Sequence, residues 1–566
     1  MHFLLAASLA TTLVAQGSTL SAERGSEDTQ RFLDQDWGFE WNRSDGRLVV
    51  RAVSARHVEK AGRKEFLGSL RTLERLDVAS STLAPGDIRA LAGSCPFLRS
   101  IRITNRGSAS LEAAVWPEFF EFRGLKDLSV TNLRCSGNEK WAIHDIRNLD
   151  SLAVSGNLSG MLPALLAPCK TRCLQIELLD SRQELTAADY AALGSHAEIE
   201  SLEILGDVSG GGMFVDLNAL SGLKRVRQLT LRLCSIDPQS LHCLPALRKL
   251  SLQTCRFTEH EFDSVLSHPG LEELVLRACK SKDLRIACPL AGPPKNLRQI
   301  TLQFPPLADV TAFYGLPCSY HVQLGLAGMC TPTSEAYSLQ SLGQDEVALL
   351  ERLKELRSVS FTGFSLPYRK TEVSAAALVR LSRIDTLRSL EVRYVDSVQD
   401  LPPGTSKEAR DLEEVRFLTD RPLSRDVVAR FLGAHTRLVV LGDYSDDAKA
   451  YSQRSDAARY SPKEVCLFGV DLPVSQESLE WQLLTDSVEK LDLEDCYVKK
   501  GAIKQLLAKC PSLKHITLGS VEDEQELLRL NDLDDLKSVD FNCGVSASTA
   551  QAIKAVSVRL GIWDTP

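Results

Sequence analysis

Leu229-Thr-Leu231-Arg-Leu-Cys234 is followed 21 residues later by Leu250-Ser-Leu252-Gln-Thr-Cys255, and a further 24 residues later by Leu274-Val-Leu276-Arg-Ala-Cys279. In each segment two leucines alternate with one other residue, and a cysteine stands three places after the second leucine. Such alternation is typical of a short β-strand with one buried face. An apolar residue three places before each first leucine adds a core side chain where the chain enters the strand. These segments therefore predict a fold built from repeated short strands.

The same phrase, Leu-x-x-Leu-x-Leu with Ile, Val or Phe in place of some leucines, recurs along most of the chain. Its first residues stand at positions 73, 98, 125, 149, 199, 226, 247, 271, 297, 356, 387, 412, 438, 488, 513 and 536. The first four are separated by 25, 27 and 24 residues. A regular spacing near 25 residues indicates an array in which each unit buries its apolar face against its neighbours.

Between the strand phrases, the apolar residues follow the helical period instead. Helices are predicted at Thr186–Gly194 and Ser424–Gly433, where Thr and Ser stand at the N-cap and Gly at the stop. Gly501–Lys509 places Ile503 and Leu506 on one face, as an amphipathic helix requires. Each repeat is therefore predicted to contain a strand, a turn, a helix and a second turn.

The repeats resemble those of leucine-rich-repeat proteins of the ribonuclease-inhibitor-like or cysteine-containing type. The resemblance rests on the strand phrase, on the cysteine that follows it, and on the repeat entries Cys95-Pro-Phe-Leu98 and Cys510-Pro-Ser-Leu513. It covers about Gly62 to the C-terminus, with gaps. It implies an α/β solenoid curved as a horseshoe, with a parallel sheet on the concave side and helices on the convex side. It also implies that the repeat cysteines lie inside the bend after each strand, and it leaves the ligand open.

The departures from the repeat predict the organisation of the chain. Trp37–Trp41 and Leu48–Val53 flank a turn sequence ending in Asp45-Gly46, which predicts a hairpin that caps the array. The predicted segments are a signal peptide at 1–17, an N-terminal cap at 18–70, a repeat array at 71–304, an irregular insertion at 305–344, and a second array at 345–566 with loops near 396–409 and 443–463.

The N-terminus predicts export. Phe3–Val14 is an apolar run of signal-peptide length, and Ala15-Gln16-Gly17 supplies small residues for cleavage. No later stretch has the length and hydropathy of a membrane span, so a secreted or cell-envelope location is expected. The 15 cysteines favour the opposite conclusion, because their use as core thiols is more typical of reducing compartments. Local disulfides between Cys169 and Cys173, or between Cys318 and Cys330, remain open, because spacing does not determine connectivity.

Composition and motifs argue against several classes of function. The net charge is −8, and acidic and basic residues are interspersed along the chain. Aromatic residues make up only 6% of it, and both features argue against a nucleic-acid binder. No phosphate loop, dinucleotide fingerprint or nucleophile elbow occurs, and Thr258-Glu-His-Glu-Phe262 lacks the second histidine of a zinc-protease helix. We therefore predict a protein that is not an enzyme and has no catalytic, cofactor-binding or metal-binding residues.

The exposed strand positions supply the candidate binding residues. Arginine and aromatic side chains carry much of the energy of protein interfaces. The candidates for partner binding are Arg232, Arg277, Phe304, Arg393, Tyr394 and Arg416. Glu391 and Glu414 lie close to two of these arginines in sequence and are alternative partners for them.

The function predicted from these features is a scaffold that binds a protein partner through the concave sheet or the inserted loops. The alternatives are a glycan-binding or structural component of the cell envelope and, on fold analogy alone, an inhibitor of a secreted hydrolase. The sequence does not determine the partner or the oligomeric state.

Overall fold

The computed structural model describes most of the repeat array. The described residues are 38–44, 47–56, 67, 70–79, 83–105, 110–135, 141, 146–179, 184–206, 213–257, 264–277, 280–281, 296–303, 313–314, 316, 318–326, 341–342, 344–363, 372–395, 397–399, 412–419, 427–428, 431–433, 435–442, 461–474, 478–542 and 545–560.

Short strands recur along the whole described chain. Up to residue 271 they are β1 (Gly38–Ser44), β2 (Arg47–Arg56), β3 (Arg75–Ala79), β4 (Ser100–Thr104), β5 (Leu111–Glu112), β6 (Asp127–Arg134), β7 (Arg147–Gly156), β8 (Cys169–Leu178), β9 (Ser201–Leu205), β10 (Met213–Val215), β11 (Gln228–Arg232), β12 (Cys234–Ile236), β13 (Lys249–Gln253) and β14 (Arg256–Phe257). They continue as β15 (Glu273–Arg277), β16 (Lys280–Ser281), β17 (Gln299–Gln303), β18 (Ser319–Leu326), β19 (Ser341–Leu342), β20 (Leu356–Gly363), β21 (Glu372–Ser374), β22 (Ser389–Val395), β23 (Ser397–Gln399), β24 (Glu414–Thr419), β25 (Leu438–Gly442), β26 (Glu464–Phe468), β27 (Asp471–Leu472), β28 (Lys490–Val498), β29 (His515–Val521), β30 (Ser538–Phe541) and β31 (Ser557–Leu560).

Helical segments alternate with these strands. The α-helices whose bounds are described are α1 (Pro85–Ser94), α2 (Leu162–Leu166), α3 (Ala187–Ser195), α4 (Gln344–Leu350), α5 (Ala375–Ser382), α6 (Leu479–Leu483), α7 (Ala502–Lys509) and α8 (Ala547–Ala552). Turns of 3₁₀ helix take the same place in other repeats, at Ala113–Glu121, Asn218–Leu220, Pro238–Cys243 and Glu524–Asp532.

The chain forms two compact units. Unit 1 comprises Met1–Leu271, Ser546–Gln551 and Ser557–Pro566, and unit 2 comprises Glu272–Val545 and Ala552–Val556. In unit 1 the order of parallel pairing is β2, β3, β4, β6, β7, β8, β9, β11, β13. In unit 2 it is β15, β17, β18, β20, β22, β24, β25, β26, β28, β29, β30.

The pairing register places equivalent leucines side by side. Leu229 and Leu231 of β11 lie opposite Leu250 and Leu252 of β13, and all four are fully buried. Consecutive helical segments pack on one another, as α2 does on α3 and α3 does on the 3₁₀ turn at Asn218–Leu220. Parallel strands with stacked helical segments confirm the repeated α/β architecture predicted from the sequence.

Two of the three predicted helices are described almost completely. Helix α3 begins after Thr186, whose hydroxyl accepts a hydrogen bond from the backbone N–H of Asp189. Helix α7 begins after Gly501, which has a φ of +86° that favours glycine. The helix predicted at 424–433 lies largely outside the described residues, and the described residues 427 and 428 are helical.

Cys234 and Cys255 lie two residues after β11 and β13, Cys496 lies within β28, and all three are free thiols, whereas Cys279 lies outside the described residues. Cys234, Cys255 and Cys496 each donate a hydrogen bond to a strand carbonyl of the preceding repeat, at Sγ–O distances of 3.6, 3.5 and 3.1 Å. Burial raises the pKa of Cys234 to about 12 and that of Cys255 to about 11. These thiols are therefore core groups with little thiolate character, as the sequence predicts.

The local disulfide considered between Cys169 and Cys173 is not formed. Both residues lie on β8 as free thiols, the first buried and the second exposed. Cys318 is also free and buried, whereas Cys330 lies outside the described residues.

The predicted N-terminal hairpin is present and has a third strand beside it. β1 pairs antiparallel with β2 and, along its other edge, antiparallel with β31. The Glu40 carboxylate on β1 accepts hydrogen bonds from Arg75 at 2.9 Å and from Arg559 at 3.1 Å. The C-terminal strand thus covers the edge of β1 that the hairpin alone would leave open.

Candidate partner-binding surface

The candidate partner-binding surface is the face of the sheet that carries the residues between the buried leucines. On β22 these residues are Ser389, Glu391 and Arg393, and on β24 they are Glu414, Arg416 and Leu418. Strand alternation places them opposite the main core. Each unit has such a face.

Arg232 and Arg277 are the last residues of β11 and β15, and both are exposed. Arg232 lies in register with Leu205 on one side and Gln253 on the other, within unit 1. It also lowers the pKa of Glu203, although burial has the larger and opposite effect. Arg277 lies in register with Gln303 in unit 2. The two arginines therefore belong to separate units.

The side chains of two further candidates, Phe304 and Tyr394, are not among those that the structure describes. Phe304 lies outside the described residues, immediately after β17. Tyr394 lies in β22, where the description covers the backbone alone.

Arg393 and Arg416 lie on neighbouring strands of unit 2 and pair with acids on the same face. Arg393 forms an ion pair with Glu391, two residues away on β22. Arg416 lies in register with Glu391, and its guanidinium is 3.7 Å from the carboxylate of Glu414. The neutralisation that the sequence left open is thus present, because Glu391 and Glu414 both contact these arginines.

An apolar cluster adjoins these arginines on the same face, and the sequence analysis did not identify it. Its members are Leu418, Leu438, Val440, Cys466 and Phe468, which we call the face cluster. Register places Val440 between Arg416 and Cys466, so the cluster extends across β24, β25 and β26. Leu438, Val440 and Cys466 are buried, whereas Leu418 and Phe468 are half-buried and form its accessible part.

Gly442 separates the two half-buried members of the face cluster. It lies in register with Leu418 on one side and with Phe468 on the other. A Cβ atom at Gly442 would lie 2.8 Å from Leu418 Cδ2 and 3.2 Å from Phe468 Cβ. The absence of a side chain at this position therefore allows Leu418 and Phe468 to approach each other.

One sequence signal could have revealed the face cluster. Leu438-Val-Val-Leu441 and Val465-Cys-Leu-Phe468 lack the apolar-polar alternation of other repeats. All five residues of β25 are buried, in contrast to the alternating burial of β3. A continuous apolar run in a strand indicates that both faces are covered.

Acidic side chains lie on the other side of the face cluster. Cys466 is in register with Asp492 of β28, and Glu464 of β26 is ion-paired with Lys490. Burial raises the pKa of Asp492, the backbone N–H of Glu494 and the charge of Lys490 oppose that shift, and Asp495 and Glu464 add smaller increases. Burial likewise raises the pKa of Glu494, and Asp492, Asp495 and Asp540 add to the shift. Carboxylates therefore crowd this flank, and a nearby cation would stabilise their charged forms.

The described residues also bear on metal binding and membrane insertion. Within the described ranges, no group of three or more His, Cys, Asp and Glu side chains is arranged to hold a metal ion. No helix in this part of the chain is long and apolar enough to cross a membrane.

Comparison with known proteins gives structural likeness alone. No protein-family model matches the chain, and no curated protein matches it. Among solved structures, an internalin from Listeria monocytogenes is 13% identical, with a TM-score of 0.26, covering 68% of this chain and 83% of its own. TLR13 in a TLR13–ssRNA13 complex is 14% identical, with a TM-score of 0.39, and the match covers 86% of this chain and 77% of TLR13. A chain of the mouse RP105/MD-1 complex is 12% identical, with a TM-score of 0.35, and the match covers 88% of this chain and 76% of that chain. At this level of similarity these structures assign no function to the chain.

Proposed function

We propose that the chain is a non-enzymatic scaffold that binds a segment of a protein partner on the sheet face of unit 2. The observation that carries this proposal is the face cluster, an apolar group on the side of the sheet opposite the main core. Half-buried apolar side chains with arginines beside them have the composition of an interface centre. Leu418 and Phe468 provide the accessible apolar contact.

The charges around the face cluster define the chemistry of the partner segment. On the β24 side, Arg393 and Arg416 are matched by Glu391 and Glu414. On the β28 side the carboxylates of Asp492 and Glu494 have raised pKa values, because burial and neighbouring acids disfavour their charged forms. A partner segment with a large apolar side chain next to lysine or arginine would therefore complement the surface.

The six residues predicted from sequence enter this proposal in two groups. Arg393 and Arg416 border the face cluster and orient polar groups of the partner. Arg232, Arg277, Phe304 and Tyr394 are proposed as additional contact positions. No catalytic, cofactor-binding or metal-binding role is proposed for any of them.

The proposed biological setting is export. Residues 1–17 would act as a signal peptide that directs the protein to the medium or the cell envelope. The same proposal includes the horseshoe curvature and the ribonuclease-inhibitor-like type of the repeats. It also includes the cap at 18–70, the arrays at 71–304 and 345–566, and the insertion at 305–344. Mass spectrometry of the protein recovered from its own cells tests export, since a mature N-terminus at Ser18 supports it and a retained Met1 contradicts it.

A peptide-display selection tests the binding function directly. Random peptides displayed on phage would be selected on the immobilised full chain and on its Leu418→Ser/Phe468→Ser variant. The matched control is Thr230→Ala/Ser251→Ala, which changes two positions on the sheet face of unit 1. We expect peptides with a large apolar residue beside Lys or Arg to be enriched on the wild type and the control, and to be lost on the face-cluster variant.

Other outcomes would overturn the proposal. Equal enrichment of the same peptides on all three proteins would remove the face cluster as the contact. Failure to enrich any peptide, together with glycan-array binding that the Leu418→Ser/Phe468→Ser variant loses, would replace the protein partner with a glycan.

A further inference from the structure

A row of charged residues runs along unit 1 at one register position of the parallel sheet, directly before β3, β4, β6, β9, β11 and β13 and within β2, β7 and β8. Its members are Arg51, Glu74, Arg99, Lys126, Asp150, Arg172, Glu200, Arg227 and Arg248. Their backbones are linked, because the N–H of Glu200 donates to the carbonyl of Arg172 at 2.8 Å and that of Arg227 donates to Glu200 at 2.7 Å. We call this the pre-strand row. Successive side chains in it stand about one strand spacing, roughly 4.8 Å, apart.

Two of the three acids in the pre-strand row, Glu74 and Glu200, are held by the cations next to them. Arg51 contacts the Glu74 carboxylate at 2.6 Å. Arg172 contacts both oxygens of Glu200, at 3.3 and 3.2 Å. The hydrogen bonds from Arg172 lower the pKa of Glu200, and the charges of Arg227 and Arg225 lower it further. At these two positions the arginines of the row therefore bind carboxylates of the chain itself.

Beyond Glu200 the cations outnumber the acids around one cavity. The cavity has a volume of about 460 Å³ and is lined by Glu200, Lys224, Arg225, Arg227 and Ala246. The side chains of Lys224, Arg225 and Arg227 are exposed. None of these three forms an ion pair with another residue in the described part of the chain. The single carboxylate in the wall, that of Glu200, is already engaged by Arg172.

We propose that this cavity binds an acidic segment of a protein partner, with at least two carboxylates placed against Lys224, Arg225 and Arg227. A guanidinium presents paired N–H donors that match a carboxylate, as Arg172 does for Glu200. A partner carboxylate next to Arg227 would repeat the arrangement in which Arg172 holds Glu200. Glu200 in the wall favours singly charged carboxylates over phosphate dianions, which it would repel more strongly.

This site lies in unit 1 and uses none of the face cluster. It rests on the proposed function only in taking its ligand from a protein. The contacts are exposed, so their contribution is electrostatic and falls as salt screens the charges.

The test is fluorescence anisotropy of a fluorescein-labelled octaglutamate peptide titrated with the full chain. The site variant is Lys224→Gln/Arg225→Gln/Arg227→Gln, which keeps a polar side chain at each position and removes three positive charges. The matched control, Arg71→Gln/Arg123→Gln/Lys504→Gln, removes the same charge from three exposed positions elsewhere. We expect the site variant to weaken binding at least about tenfold and the control to stay within about twofold, with wild-type binding weakening as salt rises.

Several results would overturn the inference. Equal weakening in both variants would show a general attraction between a cationic surface and a polyanion. Failure of the wild type to bind the peptide at millimolar concentration would show that the cavity does not take an acidic segment. If inorganic polyphosphate bound more tightly than octaglutamate and lost affinity in the same variant, the occupant would be a phosphate polymer. Leu418→Ser/Phe468→Ser should leave octaglutamate binding unchanged, so this inference and the proposed function fail separately.

Discussion

The sheet faces of unit 1 and unit 2 share one backbone pattern and differ in their side chains. At the middle position of the strand on the sheet face, β11 and β13 of unit 1 carry Thr230 and Ser251, whereas β25 and β26 of unit 2 carry Val440 and Cys466. All four are buried to a similar degree, so the polarity of the group and not its accessibility distinguishes the faces. The comparison shows that the repeat fixes the position of a residue, and that the local choice of side chain decides what the position can bind.

The largest expected effect is a loss of stability when a core leucine, a feature common to both units, is shortened. Leu231→Ala in unit 1 and Leu441→Ala in unit 2 should each lower the free energy of unfolding by about 2–5 kcal/mol. Both leucines are fully buried between the sheet and the helical layer, so each substitution leaves a cavity. Urea denaturation followed by circular dichroism measures the loss. A cost under about 1 kcal/mol at either site would show that the two cores are not equivalent.

A smaller effect should separate the two faces. Val440→Ser removes buried apolar surface from the face cluster and should cost about 1–2 kcal/mol. The control, Thr230→Ser, removes one methyl group from the polar face of unit 1 and should cost less than about 0.5 kcal/mol. The same denaturation experiment compares them. Equal losses would mean that the face cluster contributes no more to stability than an ordinary exposed face does.

The smallest expected effect is a pH dependence at the acidic flank of the face cluster. The pKa of Asp492 is raised from the ordinary value of 3.8, chiefly by burial, so the folded state holds a proton that the unfolded chain releases more readily. This contribution to stability is present below pH 3.8 and is lost as pH rises through the raised pKa. Asp492→Asn should therefore flatten this part of the profile and raise stability at neutral pH.

Glu203 supplies the matched measurement in unit 1. Burial also raises its pKa, while Arg232 opposes the shift. Melting temperatures recorded between pH 3 and pH 7 for Asp492→Asn and Glu203→Gln compare the two sites. A profile for Asp492→Asn that coincides with the wild type would contradict the assigned raised pKa.

The repeat phrase was sufficient to predict the strands, because the information is local. Leu229 and Leu231 alternate within three residues, and burial of that alternation requires only the next repeat. The phrase was harder to follow at β18, where Tyr320 and Val322 occupy the leucine places, inside the segment 305–344. A buried tyrosine there needs a partner for its hydroxyl, and it donates to the carbonyl of Phe313 at 2.7 Å.

The candidate site could be predicted only in part, because its contacts cross between strands. The exposed positions of Arg393 and Arg416 follow from alternation alone. Their pairing with Glu391 and Glu414 depends on register, as does the meeting of Leu418 and Phe468 beside Gly442. Register between repeats is set by loop lengths that vary along this chain, so the sequence identified single residues and missed the face cluster.

The antiparallel pair formed by β1 and β31 has a mechanical consequence. Phe39, near the start of β1, lies opposite Leu560, the last residue of β31, and Asn42 lies opposite Ser557. Tension applied through the two ends of the chain would therefore enter the pair at the same end of its ladder. The load would fall on one hydrogen-bonded rung at a time, and the strands would unzip from Phe39 towards Asn42 at low force. A shear load shared by all rungs would require pulling from opposite ends of the pair.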